Sequence, residues 1–368
     1  MPKGNRLKSR LHEIRREMAR LGLPALLVTD AANVAYLTGF QGTSACVVMT
    51  ADRAALIVDI RYYEQATRQA PQTERVLVQG ALYDEALVNT LQDLGATRLA
   101  FEADALPVAR HMAVSWRLPK LELVPTRGIV ERAREVKDAD ELVLVRAAAD
   151  ITSGAILRAL EVMSVGMSER AVASLVEAEF WRLGADGPAF PTLVASGPRS
   201  ALPHPRPGDR LIEAGDLVLI DAGAVVEGYR ADMSRTVVVG PPTRKQRAVW
   251  DAVHAALEAG LARVRPGVAA SAVDAACRKA LQARGFAAVH DTGHGVGLDL
   301  HEGPRVAGDS EDVLAPGMVI TVEPGVYEAG WGGVRLEQLV LVTPAGPEVL
   351  TTAPLAIASP CGSVRAGL

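Results

Sequence analysis

The stretch Gly215-Asp-Leu-Val-Leu-Ile-Asp221-Ala-Gly-Ala-Val-Val-Glu-Gly-Tyr-Arg230-Ala-Asp232 decides how this chain is read. Its grammar recurs in Gly317-Met-Val-Ile-Thr-Val-Glu323-Pro-Gly-Val-Tyr-Glu-Ala-Gly-Trp-Gly-Gly-Val-Arg335-Leu-Glu337. In both, a Gly precedes an apolar β-type run, an acid closes the run, a Gly-rich turn follows, and Arg-X-acid opens a second apolar run. Each copy reads as a β-hairpin with one carboxylate on each strand. An acid at the end of a run such as Leu217-Val-Leu-Ile220 is costly to bury unless it is paired, hydrogen-bonded or coordinated. Two such hairpins facing each other collect four negative charges, which stay ionised together only with cations among them. Metal is the economical explanation.

Working outward, a pair of helices precedes each hairpin. Residues 139–163 and 168–183 carry helical periodicity with a break at Gly166, and residues 243–264 and 270–284 repeat the order with a break at Pro266-Gly267. Helix, helix, hairpin thus occurs twice, an internal duplication that places both hairpins on one shared sheet. Further upstream, strands and helices alternate: a helix at residues 7–21, strands at 25–29, 45–49, 54–59, 75–78, 98–101 and 121–124, helices at 62–70 and 83–94, and a turn-containing segment at 33–39. That alternation defines an α/β domain. Apolar density falls around Arg132-Ala-Arg-Glu-Val-Lys-Asp-Ala-Asp140, so the expected boundaries are residues 1–134, residues 135–357, and a loose tail at 358–368.

The chain has 368 residues, 49% apolar and 22% charged, with a formal net charge of −4. Two domains are the expectation at that length, and the mild acidity offers nothing to nucleic acid or an anionic membrane. Cys46, Cys277 and Cys361 are odd in number and far apart, which excludes a disulfide framework or a zinc-thiolate site and suits a reducing cytoplasm. The basic N-terminus leads into a charged amphipathic segment, unlike a secretory signal, and no apolar run is long enough to span a membrane.

Between the second helix pair and the second hairpin lies His290-Asp-Thr-Gly-His294-Gly-Val-Gly-Leu-Asp-Leu-His301-Glu-Gly-Pro-Arg305. Three of the seven histidines fall here, among glycines that let backbone approach a ligand closely. A lone His is more often an ordinary surface or core residue than a ligand, but this cluster adjoins a carboxylate quartet.

In that order, Asp221, Asp232, His294, Glu323 and Glu337 resemble the five metal ligands of the pita-bread metallopeptidases, in the branch containing prolidase (Xaa-Pro dipeptidase) and aminopeptidase P. The likeness extends to Asp-Ala-Gly, Gly-Tyr-Arg-Ala-Asp-Met-Ser-Arg-Thr, Thr-Gly-His-Gly-Val-Gly-Leu, His-Glu-Gly-Pro, Val-Glu-Pro-Gly-Val-Tyr and Gly-Gly-Val-Arg-Leu-Glu. Upstream, Asn33-Val-Ala-Tyr-Leu-Thr-Gly-Phe and Asp59-Ile-Arg-Tyr resemble the creatinase-type N-terminal domain of the same branch. The implied fold is a creatinase-like α/β domain followed by a pita-bread α+β domain built from an internal duplication.

That resemblance implies two divalent ions per subunit. Asp221 would hold one, His294 and Glu323 the other, and Asp232 and Glu337 would bridge both, with room for a bridging hydroxide. Oxygen-rich coordination with one imidazole suits Mn²⁺, with Co²⁺ or Zn²⁺ as alternatives. The implied substrates are short proline-containing peptides, cut between an N-terminal residue and proline, and the implied assembly is a homo-oligomer, dimer or tetramer. His204 and His301 would flank the substrate and stabilise the intermediate or move its proton, and Glu323 would accept the proton of water. Tyr229, Arg235 and Arg335 would orient carboxylates or substrate. Arg305 matches a position that in some prolidases grips a dipeptide carboxylate, and residues 33–43 match a loop that closes the pocket. One departure stands out: Gln338 follows the last ligand where the family has an acid. Two rivals remain open, a creatinase-like amidinohydrolase, whose reaction needs no metal quintet, and a pita-bread binding module without activity.

Overall fold

The computed structural model describes residues 3–78 and 83–358. The chain divides into two compact units, Met1–Arg134 and Glu135–Leu368. Of the expected tail, Ala358 bridges Val238 in parallel, and residues 359–368 lie outside the described residues. Among the described residues, no helix is long and apolar enough to cross a membrane.

The first unit is built on a six-stranded mixed sheet, in the order Glu74–Val78, Ala54–Asp59, Ala45–Thr50, Ala25–Val28, Arg98–Glu102, Glu122–Thr126. Ala25–Val28, Ala45–Thr50 and Ala54–Asp59 form an antiparallel meander, and the remaining pairings are parallel. The inner strands are buried residue after residue, which is why they read as continuous apolar runs rather than alternating ones. Leu27, Val48, Ile57 and Leu99 join the core that Leu87, Leu91 and Val114 cover from the helices.

Residues 33–39, expected as a turn-containing segment, instead lie mostly within the helix Ala31–Thr38. Asp30 caps it through the N–H of Asn33 at 2.9 Å, and Gly39 ends it in the left-handed conformation at φ 78°. Asn33 is fully buried there: its amide donates to Glu102 Oε1 at 2.7 Å, and Arg134 donates to its Oδ1 at 2.6 Å. The structure also adds a helix at Val108–Arg117 that the periodicity did not announce.

In the second unit each helix pair stands over its own hairpin. Ala139–Val162 and Glu169–Arg182 precede an antiparallel sheet of Leu193–Ser196, Leu217–Ala222 and Met233–Val238. Arg244–Leu261 and Ala270–Gln282 precede a five-stranded sheet containing Gly293–Gly295, Glu302–Val306, Val319–Val322 and Gln338–Thr343. Capping boxes start the first helix of each pair, Asp138 with Glu141 and Thr243 with Gln246. Ile156, Val176 and Phe180 pack on Val218 and Ile220 in one half, and Val253, Leu257 and Val273 on Ile320 and Val340 in the other.

The two hairpins do not share a continuous sheet, contrary to the expectation. They meet through a partial seam between Met233–Val238 and residues 335–337, where the short strand Gly332–Arg335 gives way to Gln338–Thr343: Glu337 N–H donates to Ser234 O at 3.2 Å, and the Thr236 hydroxyl bonds Arg335 O and Arg335 N at 3.0 Å each. Leu336 and Glu337 leave the strand conformation at this seam, and the buried Arg235 and Arg335 occupy the space beside it.

Candidate metal centre

Asp221 sits near the end of Leu217–Ala222, opposite Ser234 in the register, and Asp232 immediately precedes Met233–Val238. Glu323 follows Val319–Val322, and Glu337 precedes its partner Gln338–Thr343. The hairpin repeat therefore delivers an acid from each of four strand ends to one place. Their side chains, facing the seam, are joined by His294 from Gly293–Gly295.

Asp232, His294 and Glu337 each present one donor atom, and these atoms all lie within 4.8 Å of one another. His294 Nε2 is 3.5 Å from Glu323 Oε1 and 3.7 Å from Asp232 Oδ2. Its Nδ1–H donates to the Gly295 carbonyl at 3.0 Å, so the Nε2 lone pair faces the carboxylates. Burial pushes His294 down to about 4, so these approaches are a neutral imidazole beside acids and not ion pairs. Burial, then the charges of Glu337, Asp221 and Glu323, raises Asp232 well above the ordinary carboxylate range. Burial, then Glu323 and Asp221, does the same to Glu337. Glu323 is pushed up to about 7, chiefly by burial.

The residues fit a divalent cation on grounds beyond their number. Among the described residues, Asp221 Oδ1 and Glu337 Oε1 are buried oxygens with no hydrogen-bond partner, whereas buried acceptors are ordinarily satisfied. Each of these carboxylates uses its other oxygen conventionally: Asp221 Oδ2 accepts from Arg335, and Glu337 Oε2 accepts from Ser234 Oγ at 2.8 Å. A hard, oxygen-favouring cation answers both the orphaned oxygens and the accumulated charge.

Glycine geometry explains how His294 reaches this position. A Cβ on Gly293 would lie 2.1 Å from Thr321 O, and one on Gly295 would lie 2.0 Å from Gly303 O. Only bare backbone lets the His294 strand lie between its neighbours. Thr292, just before it, donates to the buried Asp274 at 2.7 Å and accepts from Glu323 N–H at 2.8 Å.

Arg335 is 2% exposed and ties several parts together. Besides Asp221, it donates to Ser234 Oγ, Pro203 O and Tyr327 OH, each at 2.8 Å. Its carboxylate partner is thus Asp221, not one of the two implied bridging acids, and through Pro203 it also fixes the segment carrying His204. Arg235 donates to the carbonyls of Ser234, Glu337 and Ala353 and to Gln338 Oε1 at 3.0 Å. Burial without a carboxylate hydrogen-bond partner lowers it to about 10. Gln338 therefore stands as a neutral acceptor where the sequence departs from the family's acid.

His301 is exposed, with its ring edge-on to His294 at a centroid distance of 4.4 Å. Burial of its inner face, then the charge of His204, lowers its pKa. His204 is exposed on the segment held by Arg335. Arg305 lines a cleft of about 440 Å³ with Asp291, His294, His301, Glu302 and Glu323. Its guanidinium is bonded to Asp309 and lies 3.8 Å from Asp291. Tyr229 is buried, and its hydroxyl donates to Glu141 Oε1 at 2.8 Å, at the cap of helix Ala139–Val162. Sequence reading assigned no role to Tyr327, whose hydroxyl meets Arg335 and, at 3.1 Å, His290 Nε2. The only signal for these two was their place inside the quoted motifs.

The fold and the centre define a metal-binding hydrolase of duplicated architecture, and comparison with known proteins agrees. Residues 143–344 match metallopeptidase family M24, and residues 10–136 match the creatinase/prolidase N-terminal domain. The chain belongs to metallopeptidase family M24. It is 34% identical over 353 residues to an Xaa-Pro dipeptidase of Pyrococcus furiosus, covering 94% of this chain and 98% of that one. Among solved structures, an Xaa-Pro dipeptidase from Bacillus anthracis superposes with a TM-score of 0.92 at 35% identity, over 96% and 99% of the two chains. An X-Pro aminopeptidase from Thermotoga maritima gives 0.86 at 33%, over 93% and 99%.

Proposed function

We propose that this chain is a dinuclear metal-dependent exopeptidase that hydrolyses the bond between an N-terminal residue and proline. The observation that carries the reading is the convergence of Asp232, His294 and Glu337 on one point beside two buried carboxylate oxygens that have no hydrogen-bond partner. Relatives named Xaa-Pro dipeptidase and X-Pro aminopeptidase supply the substrate class. Asp221 would hold one ion, His294 and Glu323 the other, with Asp232 and Glu337 shared between them. The donor set of four carboxylates and one imidazole favours Mn²⁺. Bound there, divalent ions lower the pKa of water toward neutrality and polarise the scissile carbonyl.

The chain's own residues do the rest. Glu323, beside the ion it would hold and lining the cleft, is placed to take a proton from attacking water. His301 faces the cleft beside His294, where its imidazole can donate to the oxygen that gains charge in the transition state. His204, on the segment anchored by Arg335, can deliver a proton to the proline nitrogen as it leaves. That nitrogen belongs to a tertiary amide without N–H, so recognition depends on the flanking groups rather than on an extended backbone ladder.

The test is hydrolysis of Ala-Pro and Ala-Pro-Ala by metal-stripped protein, with Mn²⁺, Co²⁺ or Zn²⁺ restored in parallel. Metal-dependent release of the N-terminal alanine supports the reading. The dipeptide alone identifies a dipeptidase, and the tripeptide identifies an aminopeptidase. No metal-dependent cleavage of either overturns it.

A further inference from the structure

Lys137 is a buried cation with no part in the chemistry described above. Its side chain is 1% exposed, and its ammonium donates to Glu302 Oε1 at 2.5 Å and to Glu135 O at 3.2 Å. Its backbone is equally fixed: Lys137 N–H donates to Gly317 O at 2.9 Å, and Val136 bridges Met318. Lys137 therefore rests against the start of the strand that leads to Glu323.

Glu302, with a side chain 5% exposed, follows His301 and opens Glu302–Val306. It pairs with Gly295 across a register shift between His294 and Gly295. The intervening residues 297–301 leave the ladder and carry His301. Within that excursion Gly297 N–H donates to Asp299 O at 3.0 Å, and Asp299 N–H approaches Glu302 Oε2 at 3.5 Å. A Cβ on Gly297 would lie 2.3 Å from Glu302 Oε1, so the carboxylate lies directly across the excursion's neck. Glu302 closes the loop, and Lys137 holds Glu302.

We propose that Lys137 is a positioning residue for the reaction: through Glu302 it fixes the loop that presents His301 to the cleft. The inference rests on the peptidase reading. It extends that reading to a residue outside the ligand set, drawn from the segment before the first helix of the unit.

The test separates positioning from stability. Metal-loaded Lys137→Met, His301→Ala, Lys137→Met/His301→Ala and Lys137→Met/Glu302→Gln would be compared with wild type in kcat, KM, bound metal and unfolding midpoint, on the peptide that wild type cleaves. Lys137→Met should lower kcat about 10–100-fold with KM within about threefold, because a misplacement near 1 Å carries that cost. Bound metal should stay at the wild-type level. Adding Lys137→Met to His301→Ala should slow the enzyme by no more than about threefold further, since both changes act through one imidazole. Lys137→Met strands a buried carboxylate and should lower the midpoint; Glu302→Gln in the same chain should restore the midpoint while kcat stays low. Multiplicative losses in the Lys137→Met/His301→Ala enzyme, recovery of kcat with the midpoint, metal loss, or a wild-type kcat in Lys137→Met would each overturn the inference. An active wild type with any of those results refutes the inference alone, whereas a wild type without metal-dependent cleavage refutes the peptidase reading and the inference with it.

Discussion

Replacing Glu337 by Gln is expected to stabilise the metal-stripped protein while destroying its response to metal. Burial and the neighbouring Glu323 and Asp221 raise the Glu337 carboxyl well above its ordinary value of 4.5. A raised folded-state pKa means that the stability contribution is fully present below the unfolded value and is lost as pH rises toward the folded value. The slope is about 1.4 kcal/mol per pH unit for one such group. Wild type bears that loss as pH rises above the ordinary carboxylate range, whereas Gln, having no proton to lose, does not forfeit it. Gln keeps an acceptor for Ser234 Oγ, now 2.8 Å from Glu337 Oε2. Its amide N–H₂ takes the place of the oxygen that has no partner and points donors at the remaining acids. The expected gain at pH 7–8 is about 1–3 kcal/mol, the cost of leaving a buried acceptor unsatisfied, or on the order of 5 °C for a unit of this size. Thermal unfolding of metal-stripped wild type and variant from pH 5 to 8.5 reads both the gain and the flatter pH slope. Repeating the series with Mn²⁺ reads the loss: wild type should gain about 2.7 kcal/mol at a hundredfold excess over Kd, and the variant far less. A metal-stripped variant less stable than wild type at pH 8, or one that keeps the full metal-induced shift, would refute the reasoning.

Three further outcomes follow from the same geometry. Gly295→Ala forces a Cβ to 2.0 Å from the Gly303 carbonyl; it should destabilise by about 2–3 kcal/mol as an overpacked site and lower bound metal by displacing His294, so a soluble variant with wild-type metal content would contradict the close-approach account. Arg335→Lys cannot reproduce four directed bonds to Asp221, Ser234, Pro203 and Tyr327; kcat should fall about 100-fold or more, as for loss of an orienting group at a site held to within about 1 Å, measured beside metal content to separate Asp221 from His204 effects. Tyr229→Phe removes the bond to Glu141 at the helix cap, so about 1 kcal/mol of stability should be lost with kcat/KM within about twofold; a large kinetic loss would return Tyr229 to the substrate.

How much was legible depends on whether a residue's environment is written beside it. The four clustered acids were readable because an acid that interrupts an apolar strand is anomalous in its own neighbourhood, and the second hairpin repeats the anomaly. The helix pairs were readable through their period and their caps. The helix Ala31–Thr38 was mistaken for a turn because Asn33, Val34, Tyr36 and Thr38 disfavour helix locally, although Asp30 and Gly39 already spelled its ends. Val108–Arg117 was missed because Val108, Met112 and Trp116 are exposed at 73%, 63% and 83%, so its apolar residues do not mark a buried stripe. The single shared sheet was a fair reading of two equal hairpins, but symmetry of sequence does not ensure continuity of hydrogen bonding where two buried guanidiniums occupy the seam. The motif placed Arg305 at the cleft, and its pairing with Asp309 was not legible because that residue belongs to a loop on which the motif is silent. Lys137 and Glu302 mark the deeper limit. They are 165 residues apart, and neither is unusual among its neighbours, one in a charged linker and the other beside a histidine. Coordination chemistry demands particular residue types and so leaves a local trace. Positioning demands only that a charge find its partner, and that pairing becomes visible when the fold brings the linker under the His301 loop.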